Sequence, residues 1–190
     1  MNDEVSERLL DTRAVAPLTP DAAFEHVRLH ALAATDLLDK PDEPALDRLT
    51  AWAKDYFDVP ASAISLISAD RQSLKSVAGP ANRETTRAES FCQYVVRDRK
   101  PLVIEDAAIH PLVREHPAVI GAPFVRAYAG APLSTADGFV LGAFCVFDVK
   151  PRIFTPDQLG VLSALARAAS GHVDLHEMLT RTGWTGARPA

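Results

Sequence analysis

Between Phe139 and Phe147 the chain reads FVLGAFCVF, with no charged residue and no polar group stronger than a thiol. Strand side chains point alternately to the two faces of a sheet, so a strand apolar at every position needs cover on both. The run Val125 to Leu133 (VRAYAGAPL) precedes it across a turn through Ala136-Asp137-Gly138, which is a hairpin signal. Together they predict the middle of an antiparallel sheet with material packed above and below.

Flanking segments supply that material. Thr19-Pro20-Asp21 reads as a helix start: a capping hydroxyl, a proline at the first helical position and an acid at the positive end of the dipole. Phe24, Val27, Ala31, Ala34 and Leu38 follow as a helical seam that ends near Asp39-Lys40-Pro41. A second helix is predicted from Pro44 to Phe57, with Leu46, Leu49, Ala53 and Phe57 on one face and Trp52 and Tyr56 beside it. The texture then shortens to strands. Ala63 to Ser68 and Ser73 to Ala78 form a hairpin around Asp70-Arg71, ended by Gly79-Pro80. Asn82 to Glu89 is polar and reads as an exposed loop. Ser90 is expected to cap a short helix through Val96, and Leu102 to Ile104 forms another strand. Ala107 to Pro123, with three prolines, is expected to be a loop holding at most a short helix. Thr155 and Gln158 make a capping box, with Phe154 placed to staple onto Leu159, and open a helix to about Leu179. Strands framed by helices predict an α+β fold with a central antiparallel sheet. The expected boundaries are a loose arm over 1–18, a domain over 19–179 and a frayed tail over 180–190.

Composition narrows the function classes. A chain of 190 residues with 47% hydrophobic residues and a net charge of -5 can build one core without disulfides or a structural metal. No apolar run approaches the roughly 18 residues of a membrane span, and MNDEVSERLL carries acids where a secretory signal carries bases. Two cysteines and no export signal predict a reducing, cytoplasmic setting. The slightly acidic balance offers no electrostatic basis for nucleic acid as the main partner.

The ordered segments SLISADRQSLKSVAG, ESFCQYVV, PLVIEDAAIHPLV and FVRAYAGAPLSTADGFVLGAFCVFDVKPRIFTPDQ resemble the GAF domain family over roughly residues 24 to 179. The resemblance implies a small-molecule-sensing module with a ligand pocket on one side of the sheet. It further implies N- and C-terminal helices that pack together and form a homodimer. It also implies an output such as a kinase or cyclase, and the short tail leads us to expect that output on a separate protein. No cofactor, metal or membrane partner is expected. The neighbours of Cys92 (FCQ) and Cys145 (FCV) lack the histidine of bilin attachment sites, and no NKFDE-like cyclic-nucleotide signature is present.

Residue by residue, the candidate ligand contacts are Phe91, Cys92, Asp106, His110, Arg126, Tyr128 and Phe144. Arg126 and Tyr128 alternate with Val125, Ala127 and Ala129, so they belong on the opposite sheet face from those three. Arg126 could receive an anion or pair with Asp106, Glu105 or Asp148. Asp106 could accept backbone N–H groups where strand gives way to loop. His110 and His116 flank HPLVREHP at a spacing that matches no standard metal motif. Cys92 and Cys145 read first as small core residues, the latter sharing a face with Leu141, Ala143 and Phe147. Their second reading is a thiol redox sensor or reductase. A third possibility is a degenerate domain that serves only dimerisation, its pocket filled by Phe91, Phe124 or Phe144. On the last helix Leu162, Ala166, Ala169 and Val173 form one apolar stripe, while Val161, Leu165, Ala168, Leu175 and Leu179 form a second. One helix cannot turn both stripes to one sheet, which favours dimerisation. The reading at this level is a non-enzymatic sensory domain.

Overall fold

The computed structural model describes residues 20–38 and 43–183. The Thr19 cap, the 1–18 arm, the Asp39-Lys40-Pro41 stop and the last seven residues of the tail lie outside the described residues.

Helix α1 spans Pro20–Ala34 and α2 spans Pro44–Phe57. Strands β1 (Ala61–Ile67) and β2 (Arg71–Ala78) form the first hairpin. The polar stretch expected to be a loop instead contributes β3 (Glu84–Thr86) and a one-turn 3₁₀ helix over Arg87–Glu89. Thr86 and Glu89 cap that turn reciprocally, the same device as Thr155 and Gln158 on the last helix. Then come α3 (Cys92–Asp98), β4 (Leu102–Ile104), the single turn α4 (Pro117–Ile120), β5 (Ala127–Ser134), β6 (Val140–Asp148) and α5 (Pro156–Thr182). Helix α5 runs three residues past the expected Leu179 and stops at Gly183 in the left-handed region.

The sheet is antiparallel with order β3-β2-β1-β6-β5-β4, which puts β6 inside it. Helices α1, α2 and α5 cover one face, where Leu32, Leu46, Phe57, Ile64, Phe144, Leu162 and Val173 share a core. Helix α3 covers the other face with Val95, Val96, Ile67, Tyr128 and Cys145. The two-sided apolar strand therefore has its two covers.

Two details adjust the sequence reading. A bulge inserts Leu141 between Val140, opposite Ser134, and Gly142, opposite Leu133. It reverses the face of everything before it, so Leu141 joins the helix-side core while Ala143 and Cys145 join the other. In α1 the buried positions are Arg28 and Leu32, whereas Val27 is exposed and Ala34 faces outward. A buried charge displaced the seam: Glu25 accepts Nε and Nη2 of Arg28 at 2.7 and 2.8 Å, and accepts Nη1 of Arg87 at 2.6 Å.

The DVKPR segment closes the helical layer. Arg152 pairs with buried Asp148 at 2.7 Å and donates to the carbonyls of Phe57 (3.0 Å) and Asp58 (2.7 Å). Those carbonyls end α2, where no intrahelical donor remains.

Candidate functional site

A cavity of about 350 Å³ opens on the sheet face opposite the three long helices. Its floor is Ala63 of β1, Tyr128 of β5 and Cys145 of β6; Gln72 and Leu74 of β2 form one wall. Phe91 and Cys92 enter at the start of α3, and the segment from His116 to Val125 closes the far side. Among the described residues that line it there is no lysine or arginine, while exposed Glu84 and Glu89 belong to its open side.

Phe91 sits between two rings, its centroid 4.5 Å from His116 and 5.3 Å from Tyr128, each nearly parallel to it. The Tyr128 hydroxyl donates to Cys92 Sγ at 3.2 Å, and Cys92 Sγ lies 3.8 Å from Cys145 Sγ. Both thiols are free and buried. The Cys145 hydrogen bond holds the Cys92 thiol below its ordinary value against the opposing effect of burial, with help from Ser65, Tyr128 and Ser90. Cys145, the partner in that bond, is pushed well up by it and by burial. Burial and then the two sulfurs push Tyr128 well above the usual phenol value, so the hydroxyl remains a donor.

His116 is 7% exposed. Its Nδ1 accepts the Ala118 N–H at 3.2 Å, capping α4. That leaves the proton of the neutral ring on Nε2, a buried atom with no partner among the described residues. Burial lowers the His116 pKa, opposed by Glu89. His116 thus lines the cavity and carries a buried N–H donor that is not spent on the described residues.

Of the candidates, Phe91, Cys92 and Tyr128 line the cavity. Phe144 does not: its position in β6 turns it into the helix-side core. Arg126 donates twice to Asp106, at 2.8 Å each, so neither is available to a ligand in the cavity. The pair instead fixes the loop after β4, because Asp106 also accepts the Ala108 N–H and Arg126 O accepts that of Ala107. His110 accepts the Leu112 N–H within its own loop and stays outside the cavity lining. Val125 precedes β5 and joins the cavity side with Tyr128, not the face of Ala127 and Ala129. Ser90 is buried with its hydroxyl on Gln72 Oε1 and does not cap α3. Sequence reasoning missed Gln72, Thr85 and Glu89; the T-x-x-E box at Thr86 to Glu89 was the available signal.

The family described as "GAF domain" matches residues 43–173. The chain belongs to the GAF domain family. This GAF domain is 37% identical over 128 residues to a cyclic di-GMP phosphodiesterase of Pseudomonas aeruginosa, an alignment covering 67% of this chain and 22% of that protein. The chain therefore spans about a fifth of that relative's length. Among solved structures it resembles the GAF domain of an Acinetobacter phosphoenolpyruvate-protein phosphotransferase, with TM-score 0.58, 16% identity and coverage of 88% of this chain and 99% of that one. A free methionine-R-sulfoxide reductase of Neisseria meningitidis aligns with TM-score 0.58 and 19% identity, covering 88% and 96%. A domain of a protein named as a two-component sensor histidine kinase of Sinorhizobium meliloti aligns with TM-score 0.62 and 16% identity, covering 74% and 97%. At these identities the structures speak to fold alone. Among the described residues, no helix is long and apolar enough to cross a membrane, and no cluster of three metal-ligating side chains occurs.

Proposed function

We propose that this GAF domain is a regulatory module that binds a small neutral or cationic organic molecule without transforming it. The carrying observation is the unpartnered Nε2–H of buried His116 in an aromatic-walled cavity. An unpaired buried donor costs roughly 1–3 kcal/mol, which a ligand carbonyl would recover. Among the described residues the lining holds no lysine or arginine and presents two carboxylates at its open side, so it disfavours phosphates and carboxylates. Cyclic di-GMP, the substrate in the name of the Pseudomonas relative, is a poor match to this cavity on that ground. A domain serving dimerisation alone is also disfavoured: Phe144 faces away, Phe124 is 57% exposed and Phe91 forms a wall of a cavity that stays open, so none of the three fills the space.

Occupancy is read out through α5. Ser134 and Ala136 at the β5–β6 turn donate backbone N–H groups to Ser170 (2.9 Å) and Asp174 (3.1 Å) of that helix. Leu175 and Met178 are 52% and 61% exposed, which supports pairing of this surface with a second copy and signalling to an output protein in the cytoplasm. Benzamide and benzoate test the ligand chemistry, since they share a shape and differ in charge. Benzamide at millimolar concentration is expected to shift the Phe91 and His116 NMR signals and benzoate to leave them in place. Equal or stronger shifts with benzoate, or none with either, would overturn the proposal.

A further inference from the structure

We propose that Cys92 and Cys145 are a peroxide-reactive dithiol that closes into an intramolecular disulfide on the cavity floor. This does not depend on which molecule the cavity binds.

Tyr128 is a fully buried phenol, and a buried phenol ordinarily seeks an oxygen or nitrogen acceptor. Here its hydroxyl is directed at sulfur. A thiol is a weak acceptor, whereas a thiolate is a strong one. The arrangement therefore favours the ionised form of Cys92, the form that reacts. Its partner is already in place, since the sulfurs stand 3.8 Å apart and a disulfide is about 2 Å long. Both line the cavity, which gives a small hydroperoxide a route to sulfurs otherwise covered by protein. The sequence contains only these two cysteines, so no third thiol in the chain competes for the bond.

The chemistry balances with a hydroperoxide as oxidant. The Cys92 thiolate attacks the terminal peroxide oxygen, the O–O bond breaks, and the alkoxide leaves and takes a proton from solvent. The Cys92 sulfenic acid is then attacked by the Cys145 thiol: the S–S bond forms, the S–O bond breaks, and hydroxide leaves with the thiol proton as water. Two electrons pass from the sulfurs to the peroxide, giving one alcohol and one water. A small dithiol reductant reverses the result. The bond would tie the first turn of α3 to β6, joining a wall of the cavity to its floor.

Intact mass spectrometry after tert-butyl hydroperoxide treatment tests this. The wild-type chain is expected to lose the mass of two hydrogens and to regain it with dithiothreitol. Peptide mapping should link the segments containing Cys92 and Cys145, without any variant being needed. Cys145→Ser should stop at one added oxygen on Cys92, trapped by dimedone, and Cys92→Ser should not trap. Tyr128→Phe should move the pH profile of Cys92 alkylation upward and slow disulfide formation several-fold, a change that a purely structural role would not produce. An unchanged mass, direct overoxidation of a single sulfur, or a disulfide between two chains would each overturn the proposal.

Discussion

The Tyr128 side chain folds back along β5 over Gly130, and a Cβ added at 130 would overlap its phenolic oxygen. The glycine is what allows the hydroxyl to reach Cys92. Gly130→Ala is expected to displace the ring and lower stability by about 1–3 kcal/mol, the usual range for overpacking. Urea denaturation measures the loss. Loss of the Tyr128 bond should also return Cys92 alkylation toward the rate of an ordinary buried thiol.

Arg152 joins the end of α2 to the end of β6. Arg152→Ala strands the carboxylate of Asp148, whose side chain is 7% exposed, and two helix-end carbonyls together. A loss of about 2 kcal/mol or more is expected, since the cost of leaving a buried charge unpaired exceeds that of one missing hydrogen bond. Asp148→Asn should rescue part of it. Thermal unfolding of the single and double variants forms the cycle that checks this.

Burial lowers the His116 pKa below its unfolded value of 6.5. The unfolded chain then takes up the proton more readily, so acid favours unfolding. Stability from this group is fully present above pH 6.5 and declines as pH falls through the folded value. His116→Asn keeps an acceptor for the Ala118 N–H and cannot titrate. Its stability should be flat through the window in which the wild type declines, measured by urea unfolding at stepped pH.

Glu25 acts in a separate window. Burial pushes its carboxyl up, but hydrogen bonds from Arg28 and Arg87 bring it down to about 2. Its stabilisation is present above the unfolded value of 4.5 and is lost as pH falls from there toward 2. Hydrogen exchange of α1 amides should rise over that range, ahead of those in β6. Glu25→Gln should show the loosened helix already at neutral pH.

Much of the fold was legible because its signals are local. The two-sided run in β6 fixed the layers, and the Thr155 box fixed the start of α5. What stayed hidden depended on partners distant in sequence. Whether Phe144 faces ligand or helices turns on which face of β6 the long helices cover, and a run apolar on both faces does not announce it. Arg28 broke the α1 seam because a charge can be buried once Glu25 is beside it. β3 carries only three residues and little apolar character, and it exists because β2 offers it an edge. In the site, Phe91, Cys92 and Tyr128 were readable as interruptions of texture. The donor on His116 was not, because it depends on which ring nitrogen the start of α4 consumes.

The sheet is a septum. Helices α1 and α5 leave from one side of it and the cavity lies on the other, so a molecule held beside Phe91 never touches the surface that a neighbouring protein would grip. Under the proposed function, its arrival would reach that surface as a displacement of strands. The Leu141 bulge and the Ser134–Ser170 and Ala136–Asp174 bonds lie at the end of the β5–β6 hairpin, where such a displacement would leave the partition and become a tilt of α5.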